Sequence, residues 1–197
     1  MMEQQLFDTA HQALTFAFNF SASTLDRPMM SRMADKYQPT GKGLAGHDGA
    51  AQAGMILRRV TELSRLHQAI LHARFAPREE PCPCCHSSRP VLEWMAAIRE
   101  ISDVAVTHAL TGHVTNRSLR DGLVMRYFGH KVTLQELAKR ANVNRDTASA
   151  HNDMIIRWLH GTRNKVKKGE LVRTGEKGEE QKAIDAAEAV ILGDRGG

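Results

Sequence analysis

Two short helical patterns set end to end, with Asn-Val-Asn between them, constrain this chain more than any other stretch. Residues 137–151 read LAKRANVNRDTASAH. Upstream, Thr133 followed three residues later by Glu136 is a capping box, which starts a helix by satisfying backbone N–H groups from both directions. Leu134, Leu137, Ala138 and Ala141 then fall on one face of that helix. Asn142 is one of the few non-glycine residues that tolerates the left-handed conformation a tight turn requires. Val143 is placed to tuck under the turn, and Asn144 to cap a second helix, RDTASAHNDMIIRWL. Ala138 and Ala148 are small enough to let the two helices approach closely. Met154, Ile155, Trp158 and Leu159 take the core side of the second helix. A support helix, a tight turn and a recognition helix are therefore expected, as in a helix-turn-helix. An ordinary helical hairpin needs the same apolar spacing.

The charge distribution separates these alternatives. Residues 115–177 hold 14 Lys or Arg against 6 Asp or Glu, while residues 1–80 are nearly balanced at 9 against 8. A basic excess confined to one segment is what neutralising a run of phosphates requires. The polar early residues of the second helix, Asn144, Arg145, Asp146 and Ser149, are expected to face a DNA groove. Arg145 can fork onto guanine and the shorter side chains can meet base edges. Thr133, Thr147, Asn152 and Arg157 are expected to contact the DNA backbone, which positions without specifying. Downstream, Arg163, Lys165, Lys167 and Lys168 in RNKVKKGELVR supply further phosphate contacts.

Elsewhere the patterns are helical. Residues 3–20 carry helical spacing and the aromatic run LTFAFNF, which SAST ends; Ser23 or Asp26 can cap a short helix MMSRMADKY. Five glycines fall between Gly41 and Gly54. No strand precedes Gly41-Lys42 and Gly43 rather than Ser or Thr follows, so a linker or helix-entry loop is expected rather than a phosphate cradle. Ala50–Phe75 reads as one amphipathic helix, with Met55, Ile56, Val60, Leu63, Ile70 and Leu71 at three- and four-residue spacing, until Pro77 and Pro81 stop it. Another runs from about Pro90 through Leu110, with Pro90 near its first turn, and a third starts near Asn116 or Ser118. The tail AIDAAEAVIL is a last helix. With no strand and no repeat, the expected class is all-α: a helical N-terminal part followed by a C-terminal helix-turn-helix domain. The segments are 1–81, helical with the glycine-rich loop; 82–89, cysteine-rich; 90–165, helical with the helix-turn-helix; and 166–197, basic segment and tail.

Three cysteines, all within CPCCH, cannot form the paired framework of a secreted scaffold. The start of the chain lacks a basic leader, and no long apolar run is present, so a cytoplasmic protein without a membrane span is expected. Cys82 and Cys85 have zinc-knuckle spacing. Adjacent Cys84 and Cys85, or Cys85 and His86, rarely both reach one metal because neighbouring side chains diverge, so completion needs a distant residue such as His72 or His67, or His108 or His113. The expected set is Cys82, Cys85, His86 and His72, with a structural Zn2+ pinning two helix ends. Unliganded, reduced cysteines in a loop are the other reading. No set of carboxylates or acid–histidine pair has a metal-nuclease spacing.

The stretch LVMRYFGHKVTLQELAKRANVNRDTASAHNDMIIRWLHG, Leu123–Gly161, resembles the helix-turn-helix of sigma-factor region 4 and the C-terminal module of phage late-gene antiterminators of the Q type. Both place a Tyr-Phe-Gly helix end before a support helix with Leu-Ala, then a recognition helix with an apolar tail. The resemblance covers about forty residues and its motif is shared by many regulators. It implies promoter-proximal binding of double-stranded DNA, contact with bacterial RNA polymerase, and a phage protein at work in the host cytoplasm. The expected function is sequence-specific transcription regulation, as antiterminator or sigma-like factor, without enzymatic activity. A zinc-dependent nuclease or recombinase and a helical protein-binding adaptor are the alternatives.

Overall fold

A computed structural model describes residues 6–24, 46–82, 84–85, 87–162, 165–167, 170–173 and 175–193. The chain is predominantly helical, with eight helices among the described residues. They are α1 (Ala10–Thr24), α2 (Gly46–Val60), α3 (Arg65–Phe75), α4 (Leu92–His108), α5 (Arg117–Tyr127), α6 (Leu134–Ala141), α7 (Arg145–His160) and α8 (Glu179–Leu192). Among the described residues, no helix is long and apolar enough to cross a membrane. The expected helix MMSRMADKY and most of the glycine-rich stretch lie outside the described residues.

Contacts divide the chain into two units that do not follow the consecutive segments expected from sequence. One draws on Met1–Ser64, Phe75–Val91 and Ile184–Gly197, the other on Arg65–Arg74 and Leu92–Ala183.

In the first unit α1 packs on α2 through small residues. Ala13, Ala17, Ala53 and Ile56 are buried, and Phe7, Phe16, Phe20, Leu57 and Ile191 close around them. α1 runs through the Ser-Ala-Ser-Thr expected to end it, since none of these residues removes a backbone donor as proline does. Asn19 Nδ2 donates to the Phe75 carbonyl at 3.1 Å, while His11 meets the Phe75 ring edge-on, centroids 4.9 Å apart. Two short strands, β1 (Glu79–Pro81) and β2 (Ser88–Pro90), form an antiparallel ribbon with Glu80 opposite Arg89; these two side chains are ion-paired at 2.7 Å.

Three expectations are corrected here. The Ala50–Phe75 helix is two helices, broken over residues 61–64. Thr61 Oγ1 turns back onto the Arg58 carbonyl at 2.6 Å, and Glu62 and Leu63 donate to the carbonyls of Arg59 and Val60, tightening the last turn and ending the α-pattern. Met55, expected on its apolar face, is 58% exposed, whereas Ala53, Ile56 and Val60 are buried. The sequence shows no strand pattern, because at three or four residues each the strands are too short to display alternation. Pro90 accordingly ends β2, and α4 begins at Leu92.

The second unit holds the larger core: Ile70, Leu71, Trp94, Ile98, Ile101, Leu110, Leu119, Leu123, Phe128, Ile155 and Leu159 are nearly inaccessible. Trp94 Nε1 donates to the Ala73 carbonyl at 3.1 Å, so a large aromatic is buried with its polar atom satisfied. Asn116 caps α5 by accepting from the Ser118 and Leu119 N–H groups. Glu180 of α8 is ion-paired with Arg74 and accepts from the Tyr127 hydroxyl at 2.5 Å. The Arg74 guanidinium also lies over the Tyr127 and Phe128 rings. Burial and then Glu180 push the Tyr127 hydroxyl above its ordinary value. The basic segment forms a second antiparallel ribbon, β3 (Lys165–Lys167) with β4 (Glu170–Arg173). Gly161, at φ +85°, sits where a Cβ would lie 2.2 Å from the Glu176 carbonyl oxygen, so only glycine allows the bridge to Lys177.

Candidate nucleic-acid interface

Both ends of α6 and the start of α7 are fixed by local side-chain and backbone chemistry. Thr133 Oγ1 accepts from the Glu136 N–H at 3.2 Å, and Glu136 accepts from the Thr133 N–H at 2.9 Å. These contacts hold the Glu136 carboxyl below its usual value, the backbone N–H of Thr133 contributing most. The Thr133 hydroxyl also donates to the same carboxylate, so it serves the cap before any backbone phosphate. At the other end of α6, Asn142 adopts φ 52°, ψ 47°. Val143 N–H returns to the Ala138 carbonyl at 2.9 Å and Asn142 N–H to the Lys139 carbonyl at 3.2 Å. That pair of bonds is a Schellman closure, which turns the chain sharply while satisfying the last carbonyls of the helix. Asn144 Oδ1 then accepts from the Asp146 N–H at 2.9 Å and opens α7.

Between the helices the contact is made of small residues: Ala138, Ala141 and Ala148 are buried, with Leu137 beside them. The first two turns of α7 consequently stand out from the unit. Asn144, Arg145, Asp146, Thr147 and Ala150 are exposed and Ser149 is half-buried. Arg157, further along α7, is exposed as well.

Asn152 is a correction. Expected at a DNA backbone, it is only 6% exposed and its Oδ1 accepts from Arg126 Nη1 at 2.9 Å. It braces α7 against α5, because position 152 lies one turn beyond Ala148 on the same buried face. His151 is also buried, with its ring edge-to-face with His113, centroids 5.7 Å apart. Burial first, and His113 second, lower its pKa. Of the downstream cations, Lys165 and Lys167 are backbone members of β3, whereas Arg163 and Lys168 lie outside the described residues.

The cysteine ribbon differs from the expected zinc ligand set. The Sγ atoms of Cys82, Cys84 and Cys85 all lie within 4.8 Å of one another. Cys84, set aside because neighbouring side chains diverge, is thus a member of the cluster. The turn joining β1 and β2, closed by Cys82 N–H on the Ser87 carbonyl at 2.7 Å, folds back tightly enough to overcome that divergence. His72 is not a member: it lies on α3 in the other unit, where burial lowers its pKa. His86 lies outside the described residues. Cys82 and Cys84 sulfurs are 3.0 Å apart, and the hydrogen bond from Cys84 brings the Cys82 thiol down to about 7. The bond from Ser87 lowers Cys85, while Cys84 is raised. Sulfurs around one tetrahedral zinc stand about 3.8 Å apart, given Zn–S bonds of about 2.3 Å. The cluster is therefore of the size to hold a thiophilic ion.

The residues that sequence reading missed are Arg126 and Cys84. No periodicity marks Arg126 as the partner of Asn152, and adjacency argued against Cys84. Compared with protein-family models, curated proteins and solved structures, the chain matches none.

Proposed function

We propose that this chain is a sequence-specific, double-stranded-DNA-binding transcription regulator whose recognition helix is α7. The observation that carries the reading is the α6–turn–α7 geometry. A capped support helix, a left-handed Asn142 and a capped second helix leave Arg145, Asp146 and Thr147 exposed together. A helix presented this way enters a major groove with its N-terminal residues against base edges. Arg145 donates to guanine, and Asp146 is suited to accept from a cytosine amino group. Thr147 and Arg157 contact phosphates, with the basic ribbon β3–β4 adding charge.

Within this reading the resemblance over Leu123–Gly161 supports a phage regulator that acts on bacterial RNA polymerase in the host cytoplasm, as antiterminator or sigma-like factor. The C-terminal helix-turn-helix acts as the DNA-binding domain, and the chain is not an enzyme. A structural Zn2+ held by Cys82, Cys84 and Cys85 stiffens the β1–β2 ribbon.

The test is selection of bound duplexes from a random pool, with Arg145→Ala protein alongside. The expected result is an enriched motif that the variant loses at one position, with a cost of about 1–3 kcal/mol there. No enrichment by the unaltered protein would defeat the reading. Equal weakening on every sequence would reduce Arg145 to a phosphate contact.

A further inference from the structure

The same unit carries a groove that the DNA reading does not use. It has a volume of about 640 Å³ and is framed by α4, α5, α6 and the segment between α5 and α6, with no residue contributed by α7. Arg99 of α4, Arg117 of α5 and Arg140 of α6 bring three guanidinium groups to it from three different helices. Arg117 is partly neutralised by Asp103 at 3.2 Å. The Arg99 and Arg140 side chains are exposed and form no salt bridge or hydrogen bond among the described residues.

Beneath the cations the lining turns apolar, with Met125, Val132 and Leu137. Gly122 is what lets Leu137 lie there, since a Cβ at 122 would fall 2.3 Å from Leu137 Cδ2. Asp121 adds a third kind of group. Its Oδ1 is shielded from solvent and accepts no hydrogen bond among the described residues. A buried acceptor left without a donor is costly and calls for one.

An occupant must therefore supply negative charge, apolar side chains and an N–H or O–H donor together. A DNA backbone offers only the first of these. An acidic amphipathic peptide with a Ser or Asn offers all three: carboxylates for the arginines, leucine-like side chains for the apolar lining, and a hydroxyl, amide or first-turn N–H donor for Asp121. We infer that this groove docks an acidic amphipathic segment of a partner protein. Because α7 is not part of it, the groove can be occupied while α7 is engaged elsewhere, and the inference stands apart from the DNA reading.

The test uses the full chain and fluorescence anisotropy with three labelled probes. They are a short peptide with Glu, Leu and Asn at helical spacing, the same peptide with Lys for Glu, and a random-sequence duplex. The expected result is that the Glu peptide binds roughly tenfold or more tightly than the Lys peptide, and more weakly as salt rises. In the Arg99→Glu/Arg140→Glu protein that preference is lost, while Arg145→Ala leaves it intact. Both arginines are exposed, and matching melting curves verify that the charge reversals leave the fold unchanged. Equal affinity for the two peptides, or Glu-peptide binding that survives the charge reversals, overturns the inference. So does a variant that loses only duplex binding, which would make the groove a phosphate contact. Failure of α7 to read DNA would show in the Arg145→Ala duplex selection and leave these peptide results unaffected.

Discussion

Replacing Asn152 with leucine separates a brace from a DNA contact. In the folded protein Asn152 Oδ1 accepts from Arg126 Nη1 at 2.9 Å, and the residue is 6% exposed. Leucine keeps most of the volume, so the loss is chiefly that of the hydrogen bond. A bond to a charged group is worth about 1.5–3 kcal/mol. Arg126 is only half-buried, so water takes over part of its solvation. Leucine is also the better helix former by a few tenths of a kcal/mol. The net cost is then about 1–1.5 kcal/mol, or roughly 2–6 °C in Tm at about 2–4 °C per kcal/mol. Arg126→Leu in the same protein removes the stranded guanidinium, and the double variant regains part of the loss. A double-mutant cycle should give a coupling of about 1 kcal/mol. Thermal and denaturant unfolding measure the stability, and duplex affinity is measured per folded molecule. If Asn152→Leu melts like the unaltered protein yet weakens duplex binding, the residue belongs to the DNA face and the packing argument is wrong.

Other outcomes follow from the same contacts. Asn142→Gly is expected to leave stability unchanged or slightly raised, whereas Asn142→Val, forcing a β-branched residue to φ 52°, costs about 1–2 kcal/mol; chemical denaturation of the two side by side decides. Thr133→Ala removes the hydroxyl half of the capping box and leaves the backbone N–H of position 133 on Glu136; it costs about 1 kcal/mol, read as a lower denaturation midpoint. His151 is buried and its pKa is lowered, so the folded state resists a proton that the unfolded chain accepts. Its contribution is complete above the unfolded value of about 6.5 and is lost as pH falls through that value toward the folded one. Tm measured from pH 7.5 to 5.5 should therefore fall, less steeply in His151→Gln; an identical slope would remove His151 as the cause. Purified protein loaded with Co2+ should show thiolate charge-transfer absorption that weakens in each of Cys82→Ser, Cys84→Ser and Cys85→Ser, and loss in only two of the three would remove one ligand.

What the sequence determined by itself is the local chemistry of helix ends. Asn116, Thr133 with Glu136, Asn142 and Asn144 all take the roles their positions imply, because a cap bonds to backbone groups two or three residues away and needs no distant partner. The apolar stripe of α6 is legible for the same reason, its 3.6-residue period lying wholly within the helix. Tertiary structure decided the rest. Asn152 reads as a polar surface residue until Arg126, 26 positions earlier, is brought against it. Glu180 is half-buried where Arg74 and Tyr127 converge on it from α3 and α5. Cys84 joins Cys82 and Cys85 because the β1–β2 pairing folds their turn back on itself. Three arginines widely separated in sequence meet at one groove. For Asn152, Glu180 and the arginines the deciding interaction is between residues far apart along the chain, and for the cysteines it is the pairing of the two strands that flank them. No pattern in a short window carries it, and the folded backbone alone sets which side chains share a space.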